Sequence, residues 1–120
     1  MRGNLFENMV IAEAIKWRYH QGKRSNLFFY RDSKGNEVDL LLVNGSDIFP
    51  IEIKAGMTIT RDFLKGLAHF AEVFPNHRPK GSGLIYGGEQ AQQRTDISIA
   101  SYRNLKPLFD RSEETGSPSP

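Results

Sequence analysis

Two short stretches hold the side chains best suited to chemistry: EVDLL, with Glu37 and Asp39, and PIEIK, with Glu52 and Lys54. If both are strands, their side chains alternate. Glu37 and Asp39 then share one face with Leu41, while Val38, Leu40 and Leu42 take the other. In PIEIK the same rule sends Ile51 and Ile53 one way and Glu52 and Lys54 the other, so an acid and a base project together from an otherwise apolar strand. Alignment of the two strands brings Asp39 to Glu52, and a hard divalent cation, Mg2+ or Mn2+, relieves the repulsion of the paired carboxylates through oxygen ligation. Lys54 then lies where it positions a water, or helps deprotonate it, for in-line attack on phosphate. Asp39, Glu52 and Lys54 are thus candidate catalytic residues for phosphodiester hydrolysis, the two acids being the metal ligands. The competing account is a cross-strand salt bridge on a wet sheet face, which contributes little stability.

The elements that must position these residues follow from periodicity. From Asn4 to about Tyr19, Phe6, Val10, Ala14 and Trp17 recur at helical spacing, supported by Leu5, Met9, Ile11 and Ile15, and predict an amphipathic helix ended by Gly22. Leu27–Arg31 (LFFYR) has strand propensity and leads into a turn at Ser33-Lys34-Gly35-Asn36. The second arm runs from Glu37 to about Val43, Asn44-Gly45 turns the chain, and a third strand begins near Ile48. Pro50 lacks an amide donor, so regular pairing is expected from Ile51, or a bulge at the proline. Phe63, Leu67, Phe70, Ala71 and Phe74 mark a second amphipathic helix that Pro75 closes. Gly83–Tyr86 and Asp96–Ala100 read as further strands, and Tyr102–Phe109 as a last short helix. The expectation is an α/β fold, a central sheet with helices packed against it, over residues 1–109. Residues 110–120, without an apolar side chain, form an expected disordered tail.

Composition narrows the chemistry. One hundred and twenty residues, 38% of them hydrophobic, suit one core and one domain. There is no apolar run of about 18 residues and no leader pattern, so the expected setting is the cytoplasm, without a membrane. With no cysteine, any metal must sit on oxygen or imidazole. His20, His69 and His77 lack a paired metal spacing and receive no role. Net charge is only +2, but Lys16, Arg18, Lys23, Arg24, Arg31 and Lys34 face a single Asp32 between residues 16 and 34. That cluster is a candidate nucleic-acid-binding patch, DNA being the partner considered; its bland alternative is a solvated helix end and loop.

EVD on one strand, IEIK on the next, an amphipathic helix directly after and a helical glutamate upstream resemble the PD-(D/E)XK nuclease superfamily. Within it, GNLFENMVIAEAI, FFYRDSKGNEVDLLL and FPIEIKAGMT, over roughly residues 3 to 90, look like the C-terminal domain of unknown function of prokaryotic AAA-type ATPases. The resemblance implies a restriction-endonuclease-like αβββαβ core with a mixed sheet. It implies Asp39 and Glu52 as metal ligands, Lys54 as the catalytic lysine, Glu7 as auxiliary helix acid and the main-chain carbonyl of Ile53 as a further ligand. Apart from any family, Glu7 lies on the apolar helix face of Val10, Ile11 and Ala14, where a bare carboxylate is costly, or else forms a capping box with Asn4. The resemblance also implies an ATPase domain ahead of this one and the possibility of a homodimer. Gly22-Lys23 lacks the phosphate-loop spacing, so no ATP site is expected in the chain itself. Two functions remain open: a metal-dependent nuclease acting on DNA, and a non-catalytic module on the same fold that binds nucleic acid or docks on the ATPase half.

Overall fold

The computed structural model describes residues 5–22, 27–44, 47–74, 81–94 and 96–113. Apolar residues alternating over the middle of the chain build strands, and helical spacing on either side supplies their cover. The order is α1 (Leu5–His20), β1 (Leu27–Arg31), β2 (Glu37–Asn44), β3 (Asp47–Lys54), a 3-10 turn (Arg61–Leu64) running into α2 (Lys65–Val73), β4 (Ser82–Tyr86), β5 (Gln92–Arg94), β6 (Ile97–Ser101) and α3 (Lys106–Ser112). The strands form one sheet in the order β1-β2-β3-β4-β6-β5. β1, β2 and β3 are an antiparallel meander, β3, β4 and β6 are parallel, and β5 folds back antiparallel on β6. This is the mixed α/β sheet flanked by helices that the sequence predicts, with β5 added; its QQR stretch offers no apolar pattern to announce a strand.

Two details of the meander decide where the acids go. Opposite β2, Phe28 pairs with Leu41 and Tyr30 with Val38, so Asp39 and Leu40 together face the single residue Phe29. This β-bulge resets the predicted alternation: Val38 packs with Leu41 beneath α2, whereas Leu40 and Leu42 enter the opposite core. Pro50 brings no bulge and does not delay pairing, because β3 is already matched to β2 from Asp47. The Ile53 amide points toward β2, so by strand parity the missing Pro50 donor faces the other edge, where pairing with β4 begins only at Ile51.

The main core lies between the sheet and the α1/α3 layer, with Val10, Ala14, Trp17, Leu42, Ile51, Ile53, Ile85, Leu108 and Phe109 among its members. On the opposite face Leu67 and Phe70 of α2 close over Val38, and Leu84, Tyr86 and Ile99 meet Ile59, Phe63 and Leu64. Helix α1 is less amphipathic than predicted: Val10, Ala14 and Trp17 are buried, while Leu5, Met9, Ile15 and Tyr19 are exposed on the outer side. Helix α3 extends past the expected boundary at Phe109. Asp110 accepts a hydrogen bond from Trp17 Nε1 at 3.3 Å and one from Lys106 Nζ at 2.7 Å, and Ser112 is buried, so residues 110–112 are held in the fold. Residues 114–120, the rest of the expected tail, lie outside the described residues, as does Pro75.

Candidate active site at the end of the central strands

The β2–β3 ladder stops at Leu40 and Ile51, and beyond it Asp39 replaces a backbone acceptor: its Oδ2 takes the Ile53 N–H at 2.8 Å. The N–H and C=O of one extended residue point to the same edge, so the Ile53 carbonyl also faces this gap. Glu52, only 4% exposed, is hydrogen-bonded to the Asp39 side chain and backbone. Burial first, then the hydrogen bond and negative charge of Asp39, push the Glu52 carboxyl up to about 9, against the pull of the Lys54 charge. At neutral pH Glu52 therefore keeps its proton beside Asp39.

Glycine at 66 makes the enclosure possible. A Cβ there would land on the Glu52 carboxylate and the Glu37 carbonyl, so the first turn of α2 can close on the acid only without a side chain. A second tight approach fixes the exit of β3: Gly87 donates its N–H to Gly56 O at 2.9 Å, and a Cβ at 87 would strike the Ala55 carbonyl. The segment following Lys54 is thereby tied to the end of β4.

These groups open into a polar cleft of about 390 Å³ whose walls include Glu7, Glu37, Asp39, Glu52, Lys54, Asp62 and Lys65. The sequence-predicted acids Asp39, Glu52 and Glu7 and the base Lys54 are thus brought to one cavity, from α1, β2 and β3. Glu7 stands on the wall of the same cleft as Asp39 and Glu52, and among the described residues no three His, Asp or Glu side chains form a ready-made metal-binding group. Asn4, the other half of the expected capping box, lies outside the described residues. The donor set fits a hard cation: two adjacent carboxyls and a main-chain carbonyl offer oxygen alone.

Sequence reasoning missed Lys65, Gly66 and a polar cluster beside the cleft. The available signal was Lys65-Gly66 at the start of a helix, where glycine costs about 1 kcal/mol against alanine unless a close approach requires it. In the cluster, Asp32 accepts hydrogen bonds from the Lys34 and Asn36 amides at 2.9 Å each, and His69 Nε2 lies 2.9 Å from its other oxygen. Partial burial alone would raise the Asp32 carboxyl, but bonds from Asn36, Lys34 and His69 outweigh it and hold the group at about 2. Burial, followed by the charge and hydrogen bond of Asp32, raises the Tyr30 phenol. His69 therefore has a partner: it fastens the β1–β2 turn to α2.

The expected basic patch divides. Arg18 is enclosed, only 1% exposed, its guanidinium bonding Asn44 Oδ1 at 3.1 Å and Val43 O at 3.3 Å, with Glu113 at 3.6 Å. It is a clamp between α1, β2 and α3 and presents nothing to a phosphate. Lys16 lies 3.2 Å from Glu13 on a different wall of the molecule. Arg31, 3.4 Å from Glu37, and Lys34, beside Gly35, remain exposed near the cleft. Lys23, Arg24 and His77 lie outside the described residues. Among the described residues no helix is long and apolar enough to cross a membrane.

No curated protein matches the chain. Residues 2–105 match the family model described as a domain of unknown function, DUF4143, and the chain belongs to that family.

Proposed function

We propose that this domain is a divalent-cation-dependent nuclease of the PD-(D/E)XK type, hydrolysing DNA phosphodiesters as the C-terminal part of an AAA-type ATPase. The observation that carries the reading is the buried Glu52 carboxyl hydrogen-bonded to the half-buried Asp39, with Lys54 on the wall of the same cleft. Ordinary surface salt bridges do not bury an acid and hold it protonated at neutral pH; polar groups are sequestered at that cost chiefly where they serve chemistry. Asp39, Glu52 and the Ile53 carbonyl would hold Mg2+ or Mn2+, with Glu7 as the auxiliary acid. Such a cation, when bound, polarises the phosphate and neutralises charge that develops on it. The chain's own residues do the rest. The Ile53 amide orients the Asp39 carboxylate, Gly66 leaves Glu52 the room to meet it, and Lys54 orients the attacking water through its ammonium protons. Arg31 and Lys34, exposed near the cleft, would hold flanking phosphates.

The test is calorimetric titration of Mg2+ and Mn2+ into wild type and Glu52→Ala, followed by DNA cleavage assays on wild type and Lys54→Ala. Expected are cation binding that disappears in Glu52→Ala, and cleavage reduced about 100-fold or more in Lys54→Ala with the fold intact. Absence of cation binding, together with DNA binding that survives Glu52→Ala without cleavage, would replace this reading with that of a non-catalytic module. Such a module would bind nucleic acid or dock on an ATPase half.

A further inference from the structure

The inner face of α1 is filled by Val10, Ala14 and Trp17, yet the outer face is also apolar. Leu5, Met9, Ile15 and Tyr19 are exposed by 87, 42, 45 and 78%, and Ala12 lies between them. Positions 5, 12 and 19 are seven apart, with Met9 and Ile15 in the intervals. That is the 3.5-residue rhythm of a helix seam meeting a second helix, on the side of α1 that the sheet does not use. A helix apolar on both sides of a soluble fold ordinarily has both sides covered.

We propose that this seam is the interface of a symmetric homodimer, with α1 packing antiparallel on α1 of a second copy about a twofold axis at Ala12. The sequence is self-complementary about that residue. Leu5 falls opposite Tyr19 of the second copy, Met9 opposite Ile15, and Asn8 opposite Lys16, while the two Ala12 residues meet and let the axes approach to about 8 Å. The only charge on the seam, Lys16, lies one turn from Ala12 and is already paired with Glu13 at 3.2 Å, so no unpaired ion is buried. The four large side chains offer roughly 500 Å² per copy, and Asn8, Ala12 and the Lys16 stem extend this toward the ~800 Å² that each partner of a stable interface covers. The interface stands independently of the chemistry assigned to the cleft.

The experiment is sedimentation velocity of the full chain over a dilution series. Wild type is expected to show a monomer–dimer equilibrium, and Ala12→Glu, which sets two carboxylates face to face at the axis, weakens it at least tenfold with an unchanged circular dichroism spectrum. Because the chain has no cysteine, Ala12→Cys becomes a covalent dimer in air, whereas Ala71→Cys, exposed on α2, does not. A wild type that stays monomeric throughout overturns the proposal. So does a dimer that neither responds to Ala12→Glu nor cross-links through Ala12→Cys, since it uses another face. A monomer that binds only an added AAA-type ATPase domain also overturns it, by assigning the seam to a different occupant.

Discussion

Near neutral pH Glu52 holds a proton that a surface glutamate would have released, and stability must record this. The unfolded chain loses that proton near 4.5, whereas the folded chain keeps it to about 9. Below the lower value both states are protonated and the group's contribution is fully present. Between the two values the folded state binds more protons than the unfolded one, so stability falls as pH rises. Thermal unfolding in chelator-containing buffer should therefore show a melting temperature that declines across this window, and Glu52→Gln should flatten the decline. Asp32 acts in another range: its carboxyl is held at about 2 against an ordinary 3.8, so its contribution is lost only in acid and does not mask the effect. If a divalent cation takes the place of the Glu52 proton, Mg2+ should raise the melting temperature more at the alkaline end of the window than at neutrality. That Asp39 and Glu52 meet was legible in EVD and PIEIK as acids on adjacent strands, although the bulge at Asp39–Leu40 breaks the parity from which the meeting was predicted. The depth of the Glu52 burial was not legible, since that depends on Gly66 arriving from a helix more than ten residues downstream.

At the scale of elements, the periodic segments declared themselves and the irregular ones did not. The bulge at Asp39–Leu40 leaves no mark in an alternating EVDLLLV, because it arises from how Phe29 of the neighbouring strand is matched. Arg18 likewise read as a surface cation, since only the assembled fold brings Asn44, Val43 and Glu113 around the end of α1. Arg18→Ala should destabilise by about 3 kcal/mol in urea unfolding, the range for removing one member of a buried ion pair, and leave DNA affinity of the folded protein unchanged. Loss of DNA affinity in that variant while it remains folded would return Arg18 to the binding surface. The start of α2 is equally constrained. Gly66→Ala places a methyl group where the Glu52 carboxylate and Glu37 carbonyl now lie, and should cost about 1–3 kcal/mol through overpacking. The same variant should weaken cation binding at least tenfold, readable in the titration used for Glu52→Ala.

For the molecule as a whole, the sequence reading recovered the αβββαβ order and the single mixed sheet, while α3 carried the fold beyond the point where apolar residues end. What the linear pattern could not convey is that the two margins of the sheet are unlike. β5 ends it with the exposed polar side chains Gln92, Gln93 and Arg94; β1 ends it with Phe28 and Phe29, both exposed, beside a row of backbone groups that no other strand among the described residues pairs. A short aromatic strand at an open margin is a template for further strands. Colloidal behaviour should therefore be governed by one end of the sheet. On prolonged incubation at high concentration, turbidity and thioflavin fluorescence should grow in wild type and be suppressed by Phe29→Lys, whereas substitutions along β5 should leave the time course unchanged.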